Sequence, residues 1–311
     1  MDRKEIAAVL ASAGLRPRHQ FGQNFMVDQN VLHAIAEAGE VRANDVILEV
    51  GPGVGNLTRL LAQAAHEGAV LAVDIDRKLL PAAQRHHAGL ANVRWLNADV
   101  LAGKHEIEPH VLAELRELSA AHPRGELKLV SNLPYNAASP LIAELLVQMW
   151  REHHSKIENQ KSKITFTRFA FTVQWEVALR MSARPDTRDF GPLGVLVQAL
   201  ARVEIVRKIP PGAFWPPPKV HSALVVVTPD IARMRQVADV PGLQTFLAGI
   251  FSHRRQTLGN ALKHHLGERW TAAFKESLGE FDLAKRPETF PVAELLRLAA
   301  RCSDAPGNGG L

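Results

Sequence analysis

Residues 46–61 constrain the fold of this chain more than any other stretch. Val46-Ile-Leu-Glu-Val50 is an apolar run of strand length, and it leads through Gly51-Pro-Gly-Val-Gly55 into a helical pattern carrying Leu57, Leu60 and Leu61. Glycines at 51, 53 and 55 permit a tight strand-to-helix turn and let a ligand approach the backbone at a helix N-terminus. The spacing is Gly-x-Gly-x-Gly, whereas dinucleotide enzymes use Gly-x-Gly-x-x-Gly. Glu49 stands two places before the first glycine. A carboxylate there repels a pyrophosphate and suits a cationic ligand that carries an amino-acid group. The turn therefore favours S-adenosylmethionine over NAD.

Two further strands fit the same frame. Ala69 to Val73 ends at Asp74-Ile-Asp76, and the strand around Val93 to Leu96 is followed by Asn97-Ala-Asp99. A carboxylate at the end of the strand after the glycine turn is placed to accept from both hydroxyls of a ribose. That assigns Asp74 to the ribose and leaves Asp99 for an adenine amino group. Repeated strand–helix alternation predicts an α/β fold with a doubly wound, mostly parallel sheet.

A fourth motif closes the pattern. Leu127, Leu129 and Val130 read as a buried parallel strand ending in Asn132-Leu-Pro-Tyr135, with a helix from Ala137 to Trp150. Side chains at the carboxyl edge of a parallel strand are where an open α/β sheet presents its ligand site. Asn132 supplies a carbonyl acceptor, Pro134 biases Leu133 towards extended backbone, and Tyr135 supplies a flat face. Two carbonyl oxygens and a ring are what an exocyclic amino group on a planar base requires.

The 311 residues suit one large or two ordinary domains, and a net charge of +5 favours a polyanionic partner. A single cysteine, Cys302, excludes a disulfide framework and suits a reducing compartment, so a cytoplasmic protein is expected. No apolar run has the ~20 residues of a membrane helix, and Ile6, Val9 and Leu10 fit a short amphipathic helix better than a leader. Adjacent histidine pairs at 86–87, 153–154 and 264–265 point about 100° apart on a helix, so no metal site is expected. Arg16, Arg18 and His19 either face phosphate or form an exposed basic loop, and Asp28 is expected to cap the next helix.

Beyond Trp150, Arg151 to Lys163 is charged and aperiodic and reads as a solvated insertion. Strands are expected over Thr165–Val173, Val203–Val206 and Ala223–Val227, and helices over Trp175–Met181 and Gly194–Ala201. The last two strands are joined by a connection holding five prolines, which presents Phe214 and Trp215 at fixed positions. Phe214 is thus a second aromatic for a base beside Tyr135, or is buried under its own loop. From Ile231 the pattern is helical, with positives at Arg254, Arg255, Lys263 and Arg269 that suit a phosphate backbone or a solvated face. The expected division is an α/β domain over 1–230, a small helical domain over 231–303 and a loose tail over 304–311.

Taken together these motifs resemble the small-subunit adenine dimethyltransferases of the ribosomal RNA adenine N6-methyltransferase family. The likeness runs from Arg16 to about Leu262. It rests on Phe21-Gly-Gln-Asn-Phe25, Glu49 to Gly55, Asn132-Leu-Pro-Tyr-Asn136 with Ser139-Pro140, Pro211 to Ser222, and Phe251-Ser-His-Arg-Arg-Gln-Thr-Leu-Gly-Asn-Ala-Leu262. The resemblance implies a Rossmann-like methyltransferase sheet with one antiparallel strand and a small C-terminal helical domain that contacts rRNA. It implies S-adenosylmethionine as donor. The implied substrate is two adjacent adenosines near the 3′ end of 16S rRNA within an immature small ribosomal subunit, each dimethylated by a monomeric enzyme. Asn24 and Met26 would touch the donor, Gly51 would line its amino-acid end, Asp74 would bind the ribose and Asp99 the adenine. Asn132 would sit where donor and target base meet. The chain departs from the family at Asp74, where Glu is common, at Phe190, where Tyr is frequent, and at Trp175, where Lys is frequent. Both aromatics are expected near the base.

The chemistry expected of the motif follows from the target atom. An adenine amino nitrogen is a poor nucleophile because its lone pair is conjugated into the ring. If the Asn132 side-chain carbonyl and the Leu133 backbone carbonyl accept its two N–H groups, the lone pair turns towards the methyl group, while Tyr135 and Phe214 hold the unstacked base. A DNA adenine methyltransferase shares the donor turn and Asn-x-Pro-Tyr but lacks the Arg-Arg element. A large-subunit rRNA dimethyltransferase differs at Leu133 and in the C-terminal part. An assembly factor that binds immature subunits, with methylation secondary, is a further alternative.

Overall fold

Five consecutive buried residues make β2, Val46–Val50, a strand covered on both faces, as parallel strands in α/β sheets are. The computed structural model describes residues 1–15, 24–103, 106–155 and 163–303. Its main sheet also contains β3 (Ala69–Asp74), β4 (Val93–Asn97), β7 (Leu127–Ser131), β8 (Phe166–Gln174), β9 (Ala201–Ile209) and β11 (Ser222–Pro229). The order is β4-β3-β2-β7-β8-β11-β9. β2 pairs in parallel with both β3 and β7, β3 with β4, and β7 with β8, whereas β8 and β11 are antiparallel.

This order creates a switch point. From β2 the chain moves outward through β3 and β4, then returns with β7 to the other side of β2. Connections leave β2 and β7 in opposite directions, and a crevice opens between their carboxyl ends. The β2–β7 ladder stops at Leu48 and Leu129. Beyond it Ser131 Oγ donates to the Val50 carbonyl at 2.6 Å and accepts from the Val50 amide at 3.3 Å. One hydroxyl thus closes the seam that the backbone leaves open.

Helices cover both faces. α1 (Arg3–Ser12) starts at Asp2, whose side chain accepts from the Lys4 and Glu5 amides in a capping box. Ile6, Val9 and Leu10 pack with Phe25, Val54, Leu79 and Ala82. α2 (Gln29–Ala38), capped by Asp28 as expected, and α3 (Asn56–Ala64) set Val31, Leu32, Ile35, Leu57 and Leu61 against Ile47, Val70 and Val130. α4 (Leu79–His86) is held at its start by Asp76, which accepts from the Lys78 and Leu79 amides. α5 (Pro109–Ala121) packs on β2 and β3. α6 (Tyr135–His154) begins two residues earlier and ends four later than its sequence pattern predicts, with Pro134 at the cap position. Its last turn takes in the start of the charged stretch expected to be a solvated insertion. Residues 156–162 of that stretch lie outside the described ones. β5 (Leu101–Gly103) pairs with β6 (Glu106–Ile107).

Two residues at each end of a long separation form another small pairing. β1 (Phe25–Met26) runs antiparallel to β10 (Phe214–Trp215), with Met26 opposite Phe214. The Val27 amide extends it by donating to the Ala213 carbonyl at 2.9 Å. Asn24 and the proline-rich connection are thereby brought to the sheet's carboxyl edge.

The chain divides into two compact units, Met1–Ala178 with Arg202–Pro229, and Leu179–Ala201 with Asp230 onward. The second unit contains the second half of α7 (Trp175–Ser182), then α8 (Pro192–Leu200), α9 (Ile231–Gln236), α10 (Val240–Ser252), α11 (Leu258–Leu266), α12 (Ala272–Ser277) and α13 (Val292–Ser303). α8 is apolar nearly all round, and it packs against α9, α10 and α13. Phe190 is fully buried there, edge-on to Phe251 at 6.2 Å. Arg254 is held by the Arg188 carbonyl and lies 3.9 Å from Glu288. Among the described residues no helix is long and apolar enough to cross a membrane.

Candidate active site

The glycine turn works because its backbone goes where side chains rarely follow. Gly51, Gly53 and Gly55 have φ of 72°, 59° and 85°, the left-handed region that L-residues avoid. Close neighbours also exclude a side chain. A Cβ on Gly51 would lie 2.9 Å from Pro134 Cγ, and one on Gly53 would lie 3.1 Å from the Phe25 ring. A Cβ on Gly55 would lie 2.5 Å from His87. His87 is buried, and its Nε2 donates to the Val54 carbonyl at 3.0 Å. Burial holds its pKa below the usual histidine value. A neutral ring with the proton on Nε2 thus pins the turn from beneath.

Glu49 lies under the same turn, 1 % exposed. Loss of hydration pushes its pKa up to about 8; a nearby Thr58 hydroxyl opposes the rise, and the Asp74 charge adds to it. Neither Glu49 Oε2 nor Asn56 Oδ1 has a hydrogen-bond partner of good geometry among the described residues. The Asn56 amide is engaged, donating to the Met26 carbonyl at 3.0 Å. Buried acceptors without donors are costly unless a ligand supplies the protons. Such acceptors suit a ligand that brings N–H donors better than one that brings a phosphate.

Asp74 ends β3, and its burial raises the carboxyl pKa to about 6, offset in part by the Asp76 amide, which donates to Oδ1 at 2.9 Å. Asp99 is exposed in the loop after β4 and accepts from the Leu101 amide at 3.0 Å. Between them Ile75, 52 % exposed, offers an apolar edge that the sequence reading did not single out.

On the other side of the crevice, Asn132 follows β7. Its Oδ1 accepts from the Thr172 hydroxyl at 2.5 Å, and its Nδ2 donates to the Asn24 carbonyl at 3.3 Å. Leu133 is buried. The Tyr135 hydroxyl bonds Ser222 Oγ at 2.6 Å, and burial raises its pKa. The Tyr135 and Phe214 rings meet edge to face, 6.5 Å apart at 72°. They do not form a parallel sandwich. Phe214 is 1 % exposed and belongs to the core under α2 and α3.

One cavity of about 540 Å³ joins these features, within the size range of small-ligand sites. Asn24, Met26, Gly51, Asp74, Asp99, Asn132, Leu133, Tyr135 and Phe214 all line it, as do Glu49 and Asn56. These nine residues, which the sequence suggested for donor or base, therefore border one space, whereas Phe190 and Trp175, expected near the base, do not line it. Arg16, Arg18 and His19 lie outside the described residues. Trp175 does not line the cavity, and Lys208 sits 4.9 Å above its ring. Thr172, Ser222 and Ser131 escaped the sequence reading because small polar residues inside strands carry no motif. Among the described residues no group of three or more His, Cys, Asp or Glu side chains is placed to hold a metal ion.

The model of the family described as ribosomal RNA adenine dimethylase matches residues 14–302. The chain belongs to that family. Within the ribosomal RNA adenine dimethylases it is similar to proteins named as ribosomal RNA small subunit methyltransferase A. The Streptococcus thermophilus protein is 33% identical over 310 residues, covering 100% of this chain and 99% of the relative. The Levilactobacillus brevis protein is 36% identical over 262 residues, 84% and 80% of the two chains. A protein of Methanopyrus kandleri named as a probable member of that group is 33% identical over 97% of this chain and 98% of its own length. The fold is that of a dimethyladenosine transferase from Plasmodium falciparum, with a TM-score of 0.68 at 21% identity over 90% of this chain and 98% of the other. It also matches the 23S rRNA methyltransferase ErmE, with a TM-score of 0.59 at 24% identity over 90% and 100% of the two chains. A Rossmann-like methyltransferase sheet in which β11 runs antiparallel to β8, as the resemblance implied of one strand, is therefore the architecture of this dimethylase.

Proposed function

We propose that this dimethylase transfers methyl groups from S-adenosylmethionine to N6 of two adjacent adenosines near the 3′ end of 16S rRNA, dimethylating each within an immature small subunit. The observation that carries this reading is the single cavity joining the glycine turn after β2 to Asn132-Leu-Pro-Tyr135 after β7. The residues fit the donor. Glu49 and Asn56 hold acceptor oxygens that lack partners and suit its amino-acid end, Asp74 ends the strand suited to its ribose, and Asp99 lines the same cavity with a carboxylate suited to an adenine amino group.

The donor brings a methyl group on a positively charged sulfur, already disposed to leave. The protein's part is geometry. Asn132 Oδ1 and the Leu133 carbonyl accept the two N–H groups of the target amine and turn its lone pair towards the methyl carbon. The nitrogen forms its bond to carbon as the carbon–sulfur bond breaks, and N6 then gives one proton to water. Positioning of this kind lowers the barrier by removing the entropy cost of alignment. Tyr135 offers its face to the unstacked base, and the Phe214 edge backs the tyrosine ring. Basic residues of the helical unit, among them the exposed Arg255 and Lys263, suit the rRNA backbone.

The test is transfer of labelled methyl groups to small subunits lacking the modification, followed by mapping of the labelled nucleosides. Two adjacent dimethyladenosines near the 3′ end are the expected product. Label in large-subunit rRNA, in DNA or at other positions would reject the substrate assignment.

A further inference from the structure

We propose that Thr172 is a positioning residue for methyl transfer, holding the Asn132 carbonyl oxygen in place with one lone pair left for the incoming amine. The inference rests on reading Asn132 as the acceptor of the target amino group.

The side-chain amide of Asn132 has two possible orientations, exchanged by a half-turn of its end. Its two neighbours choose between them. The Asn24 carbonyl can only accept, so the NH₂ end must face it, and the observed Nδ2 to oxygen distance is 3.3 Å. The half-turned amide would set two oxygens against each other there. A hydroxyl can donate or accept, so Thr172 alone would tolerate either orientation. With Asn24 opposite, it must donate, and Thr172 Oγ1 lies 2.5 Å from Asn132 Oδ1. The pair of contacts removes both the half-turn and the side-to-side swing of the amide.

Thr172 is well placed for this and for nothing more direct. It is fully buried and is not among the residues lining the cavity. It lies on β8, whose ladder with β7 runs through Ser131 opposite Phe171, so the next residue on each strand is Thr172 and Asn132. A carbonyl oxygen has two lone pairs. One takes the Thr172 proton, and the other remains for a single N–H of the substrate. The second N–H then goes to the Leu133 carbonyl. After the first transfer the amine has one N–H instead of two. Its alignment then depends on how firmly the acceptors are held, so the second transfer is the more sensitive step.

The experiment compares Thr172→Val, which keeps the shape and removes the hydroxyl, with Thr172→Ser, which keeps the hydroxyl. Turnover, donor Kd, thermal unfolding and the ratio of monomethyl- to dimethyladenosine are measured on small subunits lacking the modification. For Thr172→Val we expect kcat to fall by about tenfold or more, the size of effect that a small misplacement produces. Donor Kd should change less than about twofold, and monomethyladenosine should accumulate. Thr172→Ser should restore most of kcat and the dimethyl product. Wild-type turnover and product ratio in Thr172→Val, with Asn132→Ala inactive, would overturn the role of Thr172 and leave that of Asn132 standing. Equal loss in Thr172→Val and Thr172→Ser would overturn it too, because the effect would then follow packing and not the hydrogen bond. Turnover surviving in Asn132→Ala would instead reject the reading of Asn132 itself.

Discussion

The Tyr135 hydroxyl lies 2.6 Å from Ser222 Oγ, tying the first residue of α6 to the first residue of β11. The bond fixes the ring by its far end and leaves the ring itself to line the cavity. A stacking role predicts that Tyr135→Phe keeps turnover within about threefold, whereas Tyr135→Ala loses roughly 10- to 100-fold, since stacking on one base contributes about 1–3 kcal/mol. Steady-state kinetics on small subunits lacking the modification separates the two. Equal loss in both variants would assign the function to the hydroxyl.

Asn132→Ala removes the side-chain acceptor and leaves the glycine turn, Asp74 and Asp99 untouched. Methyl transfer should fall by at least about a hundredfold, the size of effect expected for one preorganised hydrogen-bonding group. Titration calorimetry should still detect S-adenosylmethionine binding. Near-normal turnover would refute the pair of carbonyl acceptors.

Donor affinity should rise with pH. Asp74 and Glu49 have pKa values raised to about 6 and about 8 in the unliganded protein. A ribose hydroxyl pair and an ammonium both favour the ionised carboxylates, so binding releases protons, and affinity increases from about pH 5 to about pH 7.5, above which the donor's own ammonium loses its proton. Stability of the free protein runs the other way. Each folded pKa exceeds its unfolded value, so the stability these groups contribute below about pH 4 fades as pH rises through 6 and then 8. Glu49→Gln should remove the upper part of both trends. Calorimetry in buffers of different ionisation heat measures the protons released; a pH-independent Kd would contradict the argument.

Gly53 has φ of 59°, and a Cβ there would sit 3.1 Å from the Phe25 ring. Gly53→Ala should cost about 1–2 kcal/mol of stability for the left-handed backbone alone. It should also weaken the donor severalfold by moving Phe25, which lines the cavity. Gly89→Ala, with nothing within 4 Å of the added carbon, serves as the control. Similar melting temperatures for the two variants would show that the turn tolerates a side chain.

Lys128 is the second residue of β7, 2 % exposed, with Nζ 2.8 Å from Asp45 Oδ2 and 2.7 Å from the Glu40 carbonyl. Lys128→Met strands the buried carboxylate and should destabilise the fold by about 3 kcal/mol, the lower end for a broken buried pair. The lower end is expected because Asp45 retains the Arg42 and Glu126 amides as donors. Adding Asp45→Asn should recover part of the loss in chemical denaturation. A single variant as stable as the parent would show that the pair contributes nothing.

The strands at 46, 69, 93 and 127 were legible because their runs are apolar and end in turn chemistry with few backbone solutions. The acids at 74 and 99 could be aligned with the glycine turn because parallel strands present their ends along one edge. Pairing across long separations could not be read. Nothing in Phe25-Met26 announces Phe214-Trp215, since two-residue strands carry no period. Lys128 interrupts an apolar run, and its buried cation is explained by the Asp45 carboxylate and the Glu40 carbonyl, both more than 80 residues away. Thr172 and Ser222 look like ordinary strand residues until the register sets them beside Asn132 and Tyr135. Phe190, expected near the base, is instead a core residue against Phe251, and an apolar ring fits either place equally well.

Pro134 rests its ring against the bare α-carbon of Gly51, so the loop that receives the donor and the loop that receives the base share a wall without slack. A side chain acquired at 51 would shove the proline and drag Asn132 with it. Over evolutionary time the two loops are bound to change in concert, and grafting either one alone into another scaffold would spoil both.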